Sequence, residues 1–138
     1  MRVLIDTPIW SLALCRRRQA LGSADVQLVA EWTELVRGGT AALLGMVRQE
    51  LLSGIGAPEQ YERLRLELRE FGDEAVTSED HEIAAACYNS CRSHGVQGSV
   101  VDLLICAVAI RLRVPIFTTD ADFIAYARHL PITLHQPR

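Results

Sequence analysis

Four acids in this chain stand against the grain of their surroundings: Asp6, Glu50, Asp102 and Asp120. Asp6 directly follows the apolar run Val3-Leu4-Ile5, and Asp120 has the same relation to the run from Val114 to Thr118. Asp102 lies among Val100, Val101, Leu103, Leu104 and Ile105, where an unpaired carboxylate is costly to bury. Glu50 precedes Leu51 and Leu52. Most of the seventeen acids have ordinary explanations. Glu59, Glu62, Glu67 and Glu70 fall on the polar face of one predicted helix, and Asp25, Asp73, Glu79 and Asp80 fall at helix starts or turns, as solvated faces and caps.

Carboxylates brought within a few ångströms repel one another and do not all ionise at neutral pH without compensation. Divalent cations supply it, and magnesium or manganese prefers carboxylate and water oxygens in octahedral geometry. A cation so held activates water and stabilises the charge that develops on a phosphate in transfer. The four acids therefore favour phosphodiester hydrolysis. Acyl transfer is disfavoured, and no serine–histidine arrangement suggests it.

Such a site needs elements that bring distant acids to one place. Residues 3–5 read as a strand buried on both faces of a parallel sheet, and Thr7-Pro8 opens a helix towards Arg16-Arg17-Arg18. A second helix is predicted over 23–37, with Val26, Val29, Trp32, Leu35 and Val36 on its apolar side, stopped by Gly38-Gly39. A strand over 40–44, a short helix over 47–53 and a helix over 59–71 follow. Then come a short strand over 74–77 and a helix over 78–94, whose start is rich in acids favoured by the helix dipole. Ser99 is a reasonable N-cap for an apolar helix over 100–112. Residues 114–118 give the clearest strand, and a helix over 121–128 leads to a last strand over 132–134. Alternating strands and helices imply one α/β domain over residues 1–138, with a mainly parallel sheet of about five strands and helices on both faces. In open parallel sheets the carboxyl ends of the strands form the crevice where ligands lie, which is where Asp6 and Asp120 fall.

Composition narrows the chemistry further. All fourteen basic residues are arginine, so mechanisms that need a lysine (a Walker A loop, Schiff-base chemistry, a lysine base) are excluded. The net charge of −3 argues against a large non-specific nucleic-acid surface. Arg16, Arg17, Arg18, Arg48, Arg111 and Arg113 are candidates for contacts to a substrate backbone, with solvated surface as the competing explanation. The four cysteines, Cys15, Cys87, Cys91 and Cys106, form no CxxC pair. They read as buried reduced thiols, with a zinc site at Cys87, Cys91 and His94 as the weaker reading. The four histidines read as surface or loop residues. No apolar run approaches the roughly 20 residues of a membrane span, and Asp6 interrupts the first apolar stretch, so a cytoplasmic protein without a signal peptide is expected.

The acids sit in four segments whose order and spacing carry a family resemblance. These are Val3-Leu4-Ile5-Asp6-Thr7, Val47-Arg48-Gln49-Glu50-Leu51-Leu52-Ser53-Gly54, Asp102-Leu103-Leu104-Ile105-Cys106-Ala107, and Phe117-Thr118-Thr119-Asp120-Ala121-Asp122-Phe123. The set resembles the motifs of PIN-domain nucleases, in particular the VapC toxins of toxin–antitoxin modules. The resemblance implies an endoribonuclease that uses magnesium or manganese, a cognate VapB-like antitoxin that blocks the site, and a homodimer. By matching position it implies catalytic and metal-binding roles for Asp6, Glu50, Asp102 and Asp120, with Thr7, Thr118 and Asp122 as accessory residues. Cys106 stands where the family often has alanine, a change that should pack.

Two other α/β families place acids at strand ends. A phosphoacceptor receiver domain relies on a lysine, which is absent, and a dehalogenase-type phosphatase wants an aspartate where Pro8 stands. A non-toxin PIN nuclease, acting in RNA maturation or on DNA, is the main rival, and an inactive nucleic-acid-binding module is another.

Overall fold

The computed structural model describes residues 2–16 and 18–137. The first strand, β1 (Val3–Ile5), has all three side chains buried, as a run without polar alternation requires when both sheet faces are covered. Asp6 then turns the chain and caps α1 (Thr7–Leu14), with Pro8 in its first turn. The expected continuation of α1 to Arg18 fails: the helix ends at Leu14, Arg18–Ala20 forms a separate 3₁₀ turn, and Arg17 lies outside the described residues.

After these come α2 (Ser23–Arg37), β2 (Ala41–Leu44), α3 (Gly45–Leu52), α4 (Pro58–Leu68), β3 (Asp73–Glu74), α5 (Ser78–Ser93), α6 (Val100–Leu112), β4 (Ile116–Phe117) and α7 (Asp122–Ala127). The reversal after α2 uses Gly39 at φ +70, a conformation glycine adopts without a Cβ penalty. The strands pair in parallel in the order β3-β2-β1-β4. This is the α/β architecture the sequence implies, with four strands in place of about five. The predicted last strand is a single parallel bridge between Ile116 and Leu134, made by the Ile116 amide on the Thr133 carbonyl and the His135 amide on the Ile116 carbonyl. β3 is also shorter and earlier than expected, covering only Asp73 and Glu74.

Trp10 locks the start of α1 to the sheet. It is fully buried, donates from Nε1 to the Ile5 carbonyl at 3.0 Å, and packs edge-on against Trp32 and Phe71. Asp6 lies between those two anchor points and is thereby fixed in place. On α2, Leu35 is buried as expected but Val26 is 51% exposed, so the apolar side of that helix is only partly covered. In α6, every residue from Leu103 to Ala109 is buried, which seats the helix deeply and leaves Asp102 at its first turn.

Candidate active site

β1 and β4 are neighbours, so the residues after them emerge side by side at one sheet edge. The Asp6 amide donates to the Phe117 carbonyl at 2.9 Å, and the next residue, Thr118, donates its hydroxyl to Asp6 Oδ2 at 2.8 Å. The other carboxylate oxygen, Oδ1, accepts from the Thr7 amide at 2.8 Å. Thr7 uses its hydroxyl to hold Glu50 Oε1, also at 2.8 Å, which brings the exposed end of α3 to the Asp6 side. Thr118 works in both directions, since its Oγ1 accepts from the Asp120 amide at 3.0 Å.

A second group faces this one. Carboxylate oxygens of Asp102, Asp120 and Asp122 lie within 4.8 Å of one another. Ser99 caps α6 by accepting from the Asp102 amide at 3.0 Å, which sets the first turn and the direction of the acid. Asp120 Oδ1 accepts from the Asp122 amide at 2.9 Å, so Asp120 fixes the first residue of α7. Asp122, an accessory residue by motif position, contributes its carboxylate to the cluster, while Asp120 holds the backbone amide at the start of the helix.

The electrostatics join the two groups. Burial pushes the Asp6 carboxyl up from 3.8 to about 6, against the pull of Thr118 and Thr7, and the charges of Asp102 and Glu50 add to the rise. Burial also raises Asp102, opposed by hydrogen bonds from Tyr126 and Ser99 and assisted by the charges of Asp120 and Asp122. Asp6, Thr7, Glu50, Asp102, Thr118, Asp120 and Asp122 thus share one edge of the sheet. An all-carboxylate set, strained by its own repulsion, is the donor chemistry that a hard divalent cation takes.

Tyr126 was not singled out in the sequence. It is 1% exposed and donates its hydroxyl to Asp102 Oδ2 at 2.8 Å. Between Asp122 and Arg128 its helix reads as apolar, and only the expectation that a buried tyrosine hydroxyl finds a partner hints at the contact.

Several expectations change at this point. Arg48 is not available to a substrate: it binds Asp73 Oδ1 at 2.8 Å and the carbonyls of Leu68 and Phe71. Arg111 binds both oxygens of Asp80, at 2.7 and 3.0 Å, and the Ala75 carbonyl. Asp80 caps α5 as expected, in a capping box with Thr77, but it is fully buried instead of solvated, and its carboxyl is held low by the guanidinium. Arg113 closes the far end of α6 in a left-handed conformation, away from Asp102. Arg16 stays exposed, beside Thr119. The zinc reading fails: among the described residues Asp102, Asp120 and Asp122 are the one group of ligand atoms close enough for a metal, and the His94 ring stacks on His129. Cys87, Cys91 and Cys106 are buried, with burial pushing their thiols up, whereas Cys15 is exposed. His135 lies in a loop as expected but is half-buried, and its Nε2 lies 2.6 Å from the buried Glu31 carboxylate. No helix among the described residues is long and apolar enough to cross a membrane.

A family model, that of the PIN domain, matches residues 3–129. No curated protein sequence matches the chain. Among solved structures, FitAcB from Neisseria gonorrhoeae is similar with a TM-score of 0.76 at 20% identity, covering 98% of this chain and 97% of that one. VapBC2 from Rickettsia felis, solved with a DNA fragment from its promoter, gives 0.76 at 18% identity over 98% of both chains. A toxin–antitoxin complex from Klebsiella pneumoniae gives 0.64 at 20% identity, over 88% of this chain and 89% of that one. At these identities the likeness is one of fold.

Proposed function

The chain belongs to the PIN-domain family, and from that premise we propose that it is a metal-dependent endoribonuclease acting as the toxin of a type II toxin–antitoxin module. The observation that carries this is the meeting of Asp102, Asp120 and Asp122 within 4.8 Å of one another, beside a buried Asp6 whose proton affinity is raised. Structural neighbours solved as toxin–antitoxin complexes support the toxin half of the reading.

Asp102, Asp120 and Asp122, whose oxygens lie within 4.8 Å of one another, would hold magnesium or manganese, and Asp6 and Glu50, outside that group and linked to each other through Thr7, would complete the site. The donor set fits: Asp102 Oδ2 accepts from Tyr126 while Oδ1 remains for a ligand, and each Asp6 oxygen keeps a second lone pair beyond its one hydrogen bond. When bound, the cation supplies an activated water and a counter-charge for the phosphate. The chain's own contribution is orientation. Thr118 and Thr7 fix the Asp6 carboxylate, Thr7 fixes Glu50, and Tyr126 and Ser99 fix Asp102.

A cognate VapB-like antitoxin would act here by laying a cationic group, an arginine first, across the acids, since a guanidinium pairs bidentately with carboxylates. A homodimer and a cytoplasmic location belong to the same reading, and light scattering of the purified chain tests the former. The central test is to express the chain in a bacterial host and incubate the purified protein with RNA. Growth arrest, with RNA cleavage that needs magnesium or manganese and stops in chelator, is expected. Full-rate cleavage in excess chelator, or cleavage of DNA and not RNA, would overturn the assignment.

A further inference from the structure

A second cavity opens next to the acids. Pro8, Ser11, Leu12, Arg16, Asp25 and Thr119 line a groove of about 300 Å³ between α1 and the start of α2. It touches the acidic site at two places in the chain. Pro8 follows Thr7, which holds Glu50, and Thr119 separates Thr118 from Asp120. Anything bound at the acids and longer than one phosphate must leave the site over some neighbouring surface, and this groove begins one residue away on both sides. Its volume sits at the lower end of the roughly 300–1,000 Å³ of small-molecule sites.

The lining is chemically mixed in a way that suits a nucleotide. Leu12 and Pro8 offer an apolar wall for a base or sugar face, and Ser11 and Thr119 offer hydroxyls. Arg16 and Asp25 bring opposite charges, and among the described residues neither takes part in an ion pair. Of the arginines considered for substrate contact, Arg48 and Arg111 are consumed by Asp73 and Asp80. Arg16 is the described one that lines the groove.

We infer that this groove is the subsite for a nucleotide flanking the scissile phosphate of a single-stranded RNA, an inference that rests on the endoribonuclease reading. Arg16 contacts the phosphate of that nucleotide, a contact that positions without reading sequence. Asp25 accepts from a base edge that offers donors, and guanine, with N1–H and N2–H₂ side by side, matches a carboxylate best.

The test uses the full chain as wild type, Arg16→Ala and Asp25→Asn, with a randomised pool of single-stranded RNA as substrate and sequencing of the cut ends. Binding of the same pool is measured by anisotropy at several salt concentrations in an Asp102→Asn background. Arg16 is exposed and Asp25 half-buried, and melting curves check that the fold is kept. Arg16→Ala should raise KM about tenfold with kcat and base preference unchanged, and lower the salt slope of binding by about 1. Asp25→Asn should relax a guanine preference at one position beside the cut by about tenfold while leaving the other positions alone. If RNA is cut normally and both variants match the wild type in KM, salt slope and base preference, the subsite is wrong and the nuclease reading stands. If the wild type neither cuts nor binds RNA, the nuclease reading falls and the subsite falls with it.

Discussion

The Tyr126 hydroxyl lies 2.8 Å from Asp102 Oδ2, and the ring that carries it is buried edge-on against Phe123. One carboxylate oxygen of Asp102 is thereby held by the protein, in an acid that also belongs to the cluster with Asp120 and Asp122. Partners of this kind set the orientation of a metal ligand, and losing one typically costs about 10–100-fold in metal affinity.

Tyr126→Phe keeps the ring and removes only the donor. Manganese affinity, measured by titration calorimetry, should fall at least tenfold, while the melting temperature of the metal-free protein changes little, since one hydrogen bond is worth about 1 kcal/mol net. Unchanged manganese affinity would mean that the tyrosine only fills space.

Asp102→Asn is nearly isosteric and should fold as the wild type does. It removes a charge from the cluster of three carboxylates, so cleavage should drop below detection and growth arrest should disappear. Equal toxicity at equal soluble yield would count against the acidic site as the seat of activity.

Asp6 gives a pH signature in the metal-free protein. Its folded carboxyl is raised from 3.8 to about 6, so folding favours the protonated form. The associated stability is fully present below about pH 4 and is lost as pH rises to about 6. In chelator, the melting temperature of the wild type should fall relative to Asp6→Asn across that window, and the gap should stay level above it. Parallel curves for the two proteins from pH 4 to 7 would show that Asp6 is not raised.

Arg111 illustrates what the sequence conceals. By type and position it reads as a contact for substrate, yet it neutralises the fully buried Asp80. Arg111→Ala should lower the melting temperature, because it strands a buried carboxylate, and leave RNA affinity unchanged. The loss should be largest near neutral pH and shrink in acid. The ion pair holds Asp80 low, so its stabilisation is present above the ordinary carboxylate range and disappears as Asp80 takes up its proton. Weakened RNA binding at full stability would restore the substrate role.

Legibility followed the range of the interactions. α2 and α6 are found residue for residue, because Gly38 and Ser99 end and begin them through local chemistry. The strands are less legible. β3 is the polar pair Asp73–Glu74, recruited only by pairing with β2, and no periodicity marks it. The four acids with Thr7, Thr118 and Asp122 were visible as motif positions. What Arg48, Arg111, His135 and Tyr126 touch was not, because each partner lies 20 to 104 residues away in the chain.

Asp120 and Asp122 differ in what they hold, and this sets an order between them. Both carboxylates lie in the cluster with Asp102. Only Asp120 also caps α7, through the Asp122 amide, and its own amide is tied to Thr118, which orients Asp6. Asp120→Ala therefore removes a ligand oxygen and loosens the start of the helix that carries both Asp122 and Tyr126. Asp122→Ala removes one exposed carboxylate and leaves that framework in place. Manganese titration should show a larger loss of affinity for Asp120→Ala than for Asp122→Ala. Cleavage should vanish in the first variant and persist at a reduced rate in the second. An asparagine at 120 separates the two contributions, because its side-chain oxygen can still cap the helix while its charge is gone. If Asp120→Asn recovers stability but not manganese binding, Asp120 acts as a ligand as well as a cap. Were Asp122→Ala the inactive variant and Asp120→Ala the active one, the fourth acid of the site would be Asp122.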